Sequence, residues 1–441
     1  MKVCIIGGGG GATNAANNIR RLDENAEIHI FTDESEIGLQ PCEFPYALSE
    51  ELSSWDDTFV FKEKFYNERN INVHLNTEVT ELDRQRKRLV ANGEEYEYDK
   101  AILDLGTIPA VPPVPGLDGQ NEFVLTTSLT TAKKFGEAVP KHTSAAIIGT
   151  GQIALEAAEV LKTRGYEKVY LLGRSDRVLR AYLDKEMAQE IEGRVTNSGI
   201  ELILDAKINS VETSDGKKII SLPDRELEVD FVFLGTGFKP SVELAQSAGI
   251  DLGDTGGIKV NEYMQTNDPD LYAIGDCVEV WDRILGQKRL YQTAVFTARV
   301  GRLAGINIVK GNVLSYPGTV MSFVSELFGY QVGSVGFTED YARKQGLDVV
   351  ANTITSRTRR KSFDGKRITI KLVADPKTQT LLGAQIIGGE LVAGKIDKLA
   401  VAIGEKVPIQ RLAFIEACYS PTTGAAYEAV VMALDELSAK L

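Results

Sequence analysis

No apolar run in this chain of 441 residues reaches the roughly 18 residues a membrane-spanning helix needs. Met1-Lys2-Val3-Cys4-Ile5-Ile6 runs straight into a glycine cluster. That leaves no room for the charged, apolar and cleavage regions of a secretory leader, so a cytoplasmic location is expected. Positive charge is in deficit: 49 Lys and Arg against 62 Asp and Glu give a net charge of −13. Such a surface repels nucleic-acid phosphates and anionic lipid, so neither nucleic acid nor membrane is an expected partner. Cysteine is sparse. Cys4, Cys42, Cys277 and Cys418 form no Cys-x-x-Cys pair, which argues against structural zinc and a disulfide framework; no metal is expected. In a reducing compartment each is either a small buried apolar residue or a reactive thiol. Histidine is scarcer still: His29, His74 and His142 lie on or beside predicted strands and read as structural.

Glycine, in contrast, is concentrated in two places of one design. Lys2-Val3-Cys4-Ile5-Ile6 leads into Gly7-Gly8-Gly9-Gly10-Gly11-Ala12. Ser144-Ala145-Ala146-Ile147-Ile148 leads into Gly149-Thr150-Gly151-Gln152-Ile153-Ala154. Each is an apolar strand, a glycine turn and an alanine-rich helix, followed by a second short strand, Ala26 to Phe31 or Lys168 to Leu172. This is a βαβ unit twice over. In such a turn the first glycine (Gly7, Gly149) makes the bend. The second (Gly9, Gly151) lets backbone approach a pyrophosphate, and the small third position (Ala12, Ala154) lets helix and strand pack. The helix N-terminus, opened in the first unit by Gly11, then holds the anion. One match is a weak signal; two in full βαβ context predict two dinucleotide sites. A further buried-type strand, Phe231 to Leu234, ends in Gly235-Thr236-Gly237, where Gly237 is a candidate cofactor contact.

An acid at the tip of the second strand would bond a ribose 2′-hydroxyl. The mid-chain unit has none in Leu171-Leu172-Gly173-Arg174-Ser175-Asp176-Arg177-Val178-Leu179-Arg180. Arg174 and Arg180 can instead surround a 2′-phosphate, so NADPH is expected, with NADH possible.

Leu271-Tyr272-Ala273-Ile274-Gly275-Asp276 is a short strand ending in an acid. With the two turns in this order, it resembles the pyridine nucleotide–disulfide oxidoreductases, in which such an acid bonds the ribityl chain of FAD. The resemblance implies FAD at the first turn with Asp276 on the ribityl chain, and a nicotinamide cofactor at the second. That family has a glutamate where Thr32 stands, so Asp33 becomes the candidate for the adenosine ribose. The implied fold class is α/β: two Rossmann-like dinucleotide-binding domains plus a C-terminal α+β dimerisation domain. The expected boundaries are 1–111 and 245–321 for the FAD domain, 112–244 for the NAD(P)H domain and 322–441 for the dimerisation domain. Alternation in Arg367-Ile368-Thr369-Ile370-Lys371-Leu372-Val373 marks antiparallel strands in the last.

Cys42 sits in Leu39-Gln40-Pro41-Cys42-Glu43-Phe44-Pro45-Tyr46. Pro45 suits the first turn of a helix, and a thiol at a helix N-terminus loses its proton more easily. The segment resembles the single-cysteine branch of the family, comprising coenzyme A disulfide reductases, NADH oxidases and peroxidases, and polysulfide reductases. Two-cysteine members carry their second thiol where Ala47 stands. The resemblance further implies that Arg21 contacts coenzyme A phosphates. It also implies that Tyr419 reaches the other subunit's active site and protonates a leaving thiolate. Oxidases and peroxidases of this branch usually carry a histidine in the first turn, where Gly10 stands. The expected protein is therefore a homodimeric FAD-dependent NAD(P)H oxidoreductase reducing a disulfide, coenzyme A disulfide or polysulfide through Cys42. The alternatives are an NAD(P)H oxidase or peroxidase using a Cys42 sulfenate, an electron-transfer flavoprotein subunit, or a redox sensor.

Overall fold

A computed structural model describes residues 1–441. The chain forms two compact units. One comprises Met1–Ala110, Leu125–Gly136 and Gly237–Thr319; the other comprises Val111–Val124, Glu137–Thr236 and Val320–Leu441.

The first unit is built on a five-stranded parallel sheet in the order Leu271–Ala273, Lys100–Leu103, Lys2–Ile6, Glu27–Phe31, Ile71–His74. Val3, Cys4, Ile5 and Ile6 are all buried, as a parallel strand covered on both faces requires. Helix Gly10–Leu22 covers the sheet with Ala12, Ala15, Ala16 and Ile19. Helix Ala294–Lys310 runs against it so closely that a Cβ on Gly301 would collide with the Gly11 carbonyl, and one on Gly305 would stand 2.5 Å from the Ala15 carbonyl oxygen. His29 and His74 lie on adjacent strands and share a hydrogen bond of 2.9 Å between Nδ1 and Nε2.

The second unit repeats the plan. Its parallel sheet runs Glu201–Ile203, Lys168–Leu172, Ser144–Ile148, Phe231–Leu234, Glu122–Phe123. In both sheets the strand order reverses beside the first strand of the βαβ unit, the place where doubly wound sheets open a ligand crevice. The C-terminal part adds a five-stranded antiparallel sheet: Phe323–Leu327, Tyr330–Gly336, Thr380–Gly388, Arg367–Asp375, Val350–Arg357. Helices Val392–Gly404 and Ala429–Ser438 pack on it. Two Rossmann-like parallel sheets and a C-terminal α+β domain are thus present. No helix is long and apolar enough to cross a membrane.

Candidate active site

The first glycine turn lies at the C-terminal end of Lys2–Ile6, at the switch point of its sheet. Gly7 has φ +113°, and a Cβ there would collide with the Asp104 carbonyl oxygen. Helix Gly10–Leu22 has no side-chain N-cap, and the N–H groups of Gly9, Gly10 and Gly11 make no hydrogen bond within the protein. Gly9 and Gly10 are exposed, and a Cβ on Gly10 would meet nothing within 4 Å. A helix N-terminus with free donors and a positive dipole end fits a pyrophosphate. Asp276 follows the end of strand Leu271–Ala273, two strands across the same sheet. Burial pushes its carboxyl up to about 6, against the pull of the Thr297 hydroxyl, which donates to Oδ1 at 3.1 Å. Thr32 is buried against Gly8, while Asp33 is exposed. Glu34, next along the loop, accepts from Ser128 Oγ at 2.6 Å.

The structure also brings in a residue the sequence reading passed over. Asp104 follows strand Lys100–Leu103 and lies beneath the turn, its Oδ2 accepting the Ala12 N–H at 2.7 Å. In sequence it reads only as the end of a buried strand; strand register alone puts it under the helix.

Cys42 belongs to the same unit. It lies in a one-turn 3₁₀ segment, Pro41–Glu43, that runs into the short helix Phe44–Leu48, with Pro45 in its first turn. The Gln40 N–H bonds the Thr58 carbonyl at 2.8 Å, and buried Phe44 packs edge-on against Trp55, so the segment is anchored on both sides of the thiol. Cys42 and Cys418 are exposed; Cys4 and Cys277 are buried. Burial pushes both buried thiols up to about 12, which makes them poor nucleophiles at neutral pH. Arg21 is exposed at the end of its helix, 3.4 Å from Asn18 Oδ1.

In the second unit the other turn has the same form. Gly149 has φ +128°, and a Cβ there would collide with the Gly235 carbonyl. Helix Gln152–Thr163 again has no side-chain N-cap beside Gly151. Arg174 and Arg180 are exposed and carry no hydrogen bond or ion pair to the protein. Arg177 between them is buried, donating to the Leu183 carbonyl at 2.9 Å and to Asp340 at 2.7 Å. Gly237, two residues after Gly235, has φ +92°, and its carbonyl accepts the Ala110 N–H. Tyr419 and Cys418 lie on an exposed stretch between helices Ile409–Ala413 and Ala429–Ser438.

Two family models cover nearly all of this architecture: pyridine nucleotide-disulphide oxidoreductase over residues 1–298, and the dimerisation domain of the same family over residues 325–430. The chain belongs to the pyridine nucleotide-disulphide oxidoreductases. As a member of that family it is an oxidoreductase of the flavin- and NAD(P)H-binding type. An NADH oxidase of Methanocaldococcus jannaschii is 32% identical over all of this chain and 99% of its own length. A coenzyme A-dependent NAD(P)H sulfur oxidoreductase of Pyrococcus furiosus is 33% identical, with 98% of each chain covered. Among solved structures, the NAD-dependent persulfide reductase of A. fulgidus superposes with a TM-score of 0.96 at 32% identity, over 100% of this oxidoreductase and 83% of that chain. An engineered water-forming NADPH oxidase derived from the NADH oxidase of Lactobacillus brevis superposes with a TM-score of 0.95 at 26% identity, over 100% and 99%.

Proposed function

We propose that this oxidoreductase uses NADPH and FAD to reduce a sulfur substrate, a disulfide, coenzyme A disulfide or polysulfide, through Cys42. The observation that carries the proposal is the exposed Cys42 thiol on an anchored segment of the unit that holds the first glycine turn. The buried thiols Cys4 and Cys277 are unsuited to the task. Gly10 supports sulfur over oxygen chemistry, because the turn offers no imidazole to handle a peroxide proton. The kinship with persulfide and sulfur reductases points the same way.

Four substitutions in the engineered NADPH oxidase support NADPH. They remove an acid, place arginine and serine at the next two positions, and place a second arginine five positions beyond the serine. This chain naturally reads Gly173-Arg174-Ser175, with Arg180 five positions beyond Ser175.

In the proposed mechanism Gly9, Gly10 and Gly11 hold the FAD pyrophosphate and Asp276 its ribityl chain, with Asp33 at the adenosine ribose. Gly149, Gly151, Arg174 and Arg180 hold NADPH. FAD, when bound, carries an electron pair from the nicotinamide to sulfur. The Cys42 thiolate attacks one sulfur of the substrate, breaking its S–S bond and forming a mixed disulfide. The departing thiolate takes its proton from Tyr419, and Arg21 pairs with substrate phosphate. Two electrons then cleave the mixed disulfide, releasing the second thiol and restoring the Cys42 thiolate. The two subunits of a homodimer supply these groups.

The test is an anaerobic titration of the yellow protein with NADPH, followed by coenzyme A disulfide, polysulfide or oxygen in separate runs. Rapid reoxidation by a sulfur compound in the native chain, lost by at least a hundredfold (~2.7 kcal/mol) in Cys42→Ser, is expected. Equal rates in the variant, or reoxidation by oxygen alone, would leave the oxidase reading, which the M. jannaschii relative favours.

A further inference from the structure

The buried carboxyl of Asp104 lies beneath the first glycine turn without a cation. It is 6% exposed. Its carboxylate oxygens would stand 3.1 Å from a Cβ on Gly9, 2.8 Å from one on Gly11 and 2.5 Å from one on Gly275. On these three sides there is no room for a side chain. Oδ2 accepts the Ala12 N–H at 2.7 Å; Oδ1 has no hydrogen bond within the protein. The first strand and its turn present only glycine backbone, and helix Ala294–Lys310 presents Thr297 and Gly301. The titratable groups facing Asp104 are the Asp276 carboxyl and the buried Cys277 thiol, both from the Gly275–Cys277 turn. A second anion is therefore asked to settle on the same helix end that this acid already occupies.

We propose that Asp104 is the proton acceptor of cofactor binding: it supports the glycine turn as a neutral carboxylic acid when the FAD pyrophosphate rests on the N–H groups above it, so binding takes up one proton. The step is balanced as ionised Asp104 plus FAD plus one proton giving the complex with Asp104 protonated. The Ala12 N–H keeps its acceptor in either form. Burial already pushes the Asp104 carboxyl up to about 7, against the pull of the Ala12 N–H and with a further push from Asp276. A pyrophosphate raises it again by like-charge repulsion. The sign follows. A group with a higher pKa in the complex favours binding at and below its free-protein value, and that advantage is lost as pH climbs toward the value in the complex. FAD affinity is thus full near pH 6 and falls by about tenfold per pH unit above 7.

The inference rests on FAD occupying the first turn, and the experiment separates the two. Holoenzyme is diluted into buffers from pH 6 to 9 and flavin release is followed by fluorescence. The full chain stripped of flavin is then titrated with FAD by calorimetry at pH 8 in buffers of different ionisation enthalpy. The native chain is expected to weaken about tenfold per unit above pH 7 and to take up close to one proton. Asp104→Asn keeps an oxygen for the Ala12 N–H and is expected to bind with little pH dependence and no proton uptake; Asp104→Ser provides a second neutral side chain. A flat native profile, zero uptake by the native chain, or an unchanged slope in a neutral variant that binds would overturn the role of Asp104. FAD binding that survives Gly9→Glu in the first turn would instead overturn the placement of the flavin.

Discussion

Arg174 and Arg180 make no bond to the protein, so replacing them tests recognition without disturbing the fold. Charge-assisted bonds to a phosphate contribute roughly 1.5–3 kcal/mol each. Arg174→Ala with Arg180→Ala is therefore expected to weaken NADPH binding by at least tenfold while leaving NADH nearly unchanged. The two dissociation constants, measured by quenching of protein fluorescence, check it. Equal loss for both nucleotides would mean the arginines do not read the 2′-phosphate. At this scale much of the candidate site was legible in sequence, because a glycine turn, a Gly-Asp pair and a Cys-x-x-Pro-Tyr segment are local patterns. Asp104 was not legible. Asp-Leu-Gly after a buried strand carries no local mark; only the pairing of Ile6 with Leu103 brings that side chain beneath a helix that starts far away in sequence. Thr32 shows the other limit: a departure at one position left the ribose contact to be assigned among Asp33 and its neighbours.

The loop that carries those arginines is fastened from below by charged elements. Lys371 on strand Arg367–Asp375 is 3% exposed and pairs with Asp184 at 3.0 Å, Glu339 at 2.8 Å and Glu186. Asp184 also accepts the N–H groups of Glu339 and Asp340 and a bond from Gln385. Burial pushes Asp184 up, but the Asp340 N–H, Gln385 and Lys371 outweigh it and hold the carboxyl below its ordinary range. Removing one member of a buried ionic group leaves uncompensated charge and costs about 3–5 kcal/mol. Lys371→Met is expected to lose stability on that scale at pH 7 in urea unfolding. The pairing of depressed carboxylates contributes above their unfolded values and is lost as pH falls through the folded ones. The deficit should therefore shrink below about pH 4, and a deficit independent of pH would show that packing dominates. The helices and parallel strands were readable because apolar runs and alanine-rich faces are periodic. The Lys371 group was not, since its members come from three distant stretches of sequence, around Asp184, Glu339 and Lys371 itself, and are joined only by sheet docking.

At the scale of the whole molecule, a family dimerisation domain exposes apolar side chains that a monomer would normally cover. Phe414 is 89% exposed, and Val401 and Tyr427 are also exposed. Exposed large apolar side chains in such a domain are what a partner subunit would cover. Phe414→Asp is expected to move the 48.1 kDa chain toward monomer in sedimentation velocity. A dimer of unchanged strength would place the contact elsewhere. The duplicated βαβ plan was visible in the spacing of glycines. The antiparallel meanders Val79–Glu97 and Ser210–Val229 were not, because short polar strands look like loops until they pair.

Both glycine-turn helices begin at a glycine, which has no side chain to cap with; from elsewhere the first of them receives Asp104, at the Ala12 N–H. The first-turn N–H groups that remain are donors a bound phosphate can take up. The consequence reaches beyond catalysis to how long the protein survives. A nucleotide present at a hundred times its dissociation constant stabilises the folded chain by about 2.7 kcal/mol, and that margin vanishes when the nucleotide is scarce. Where flavin is scarce the chain is expected to lose that margin and, with it, part of its resistance to proteolysis.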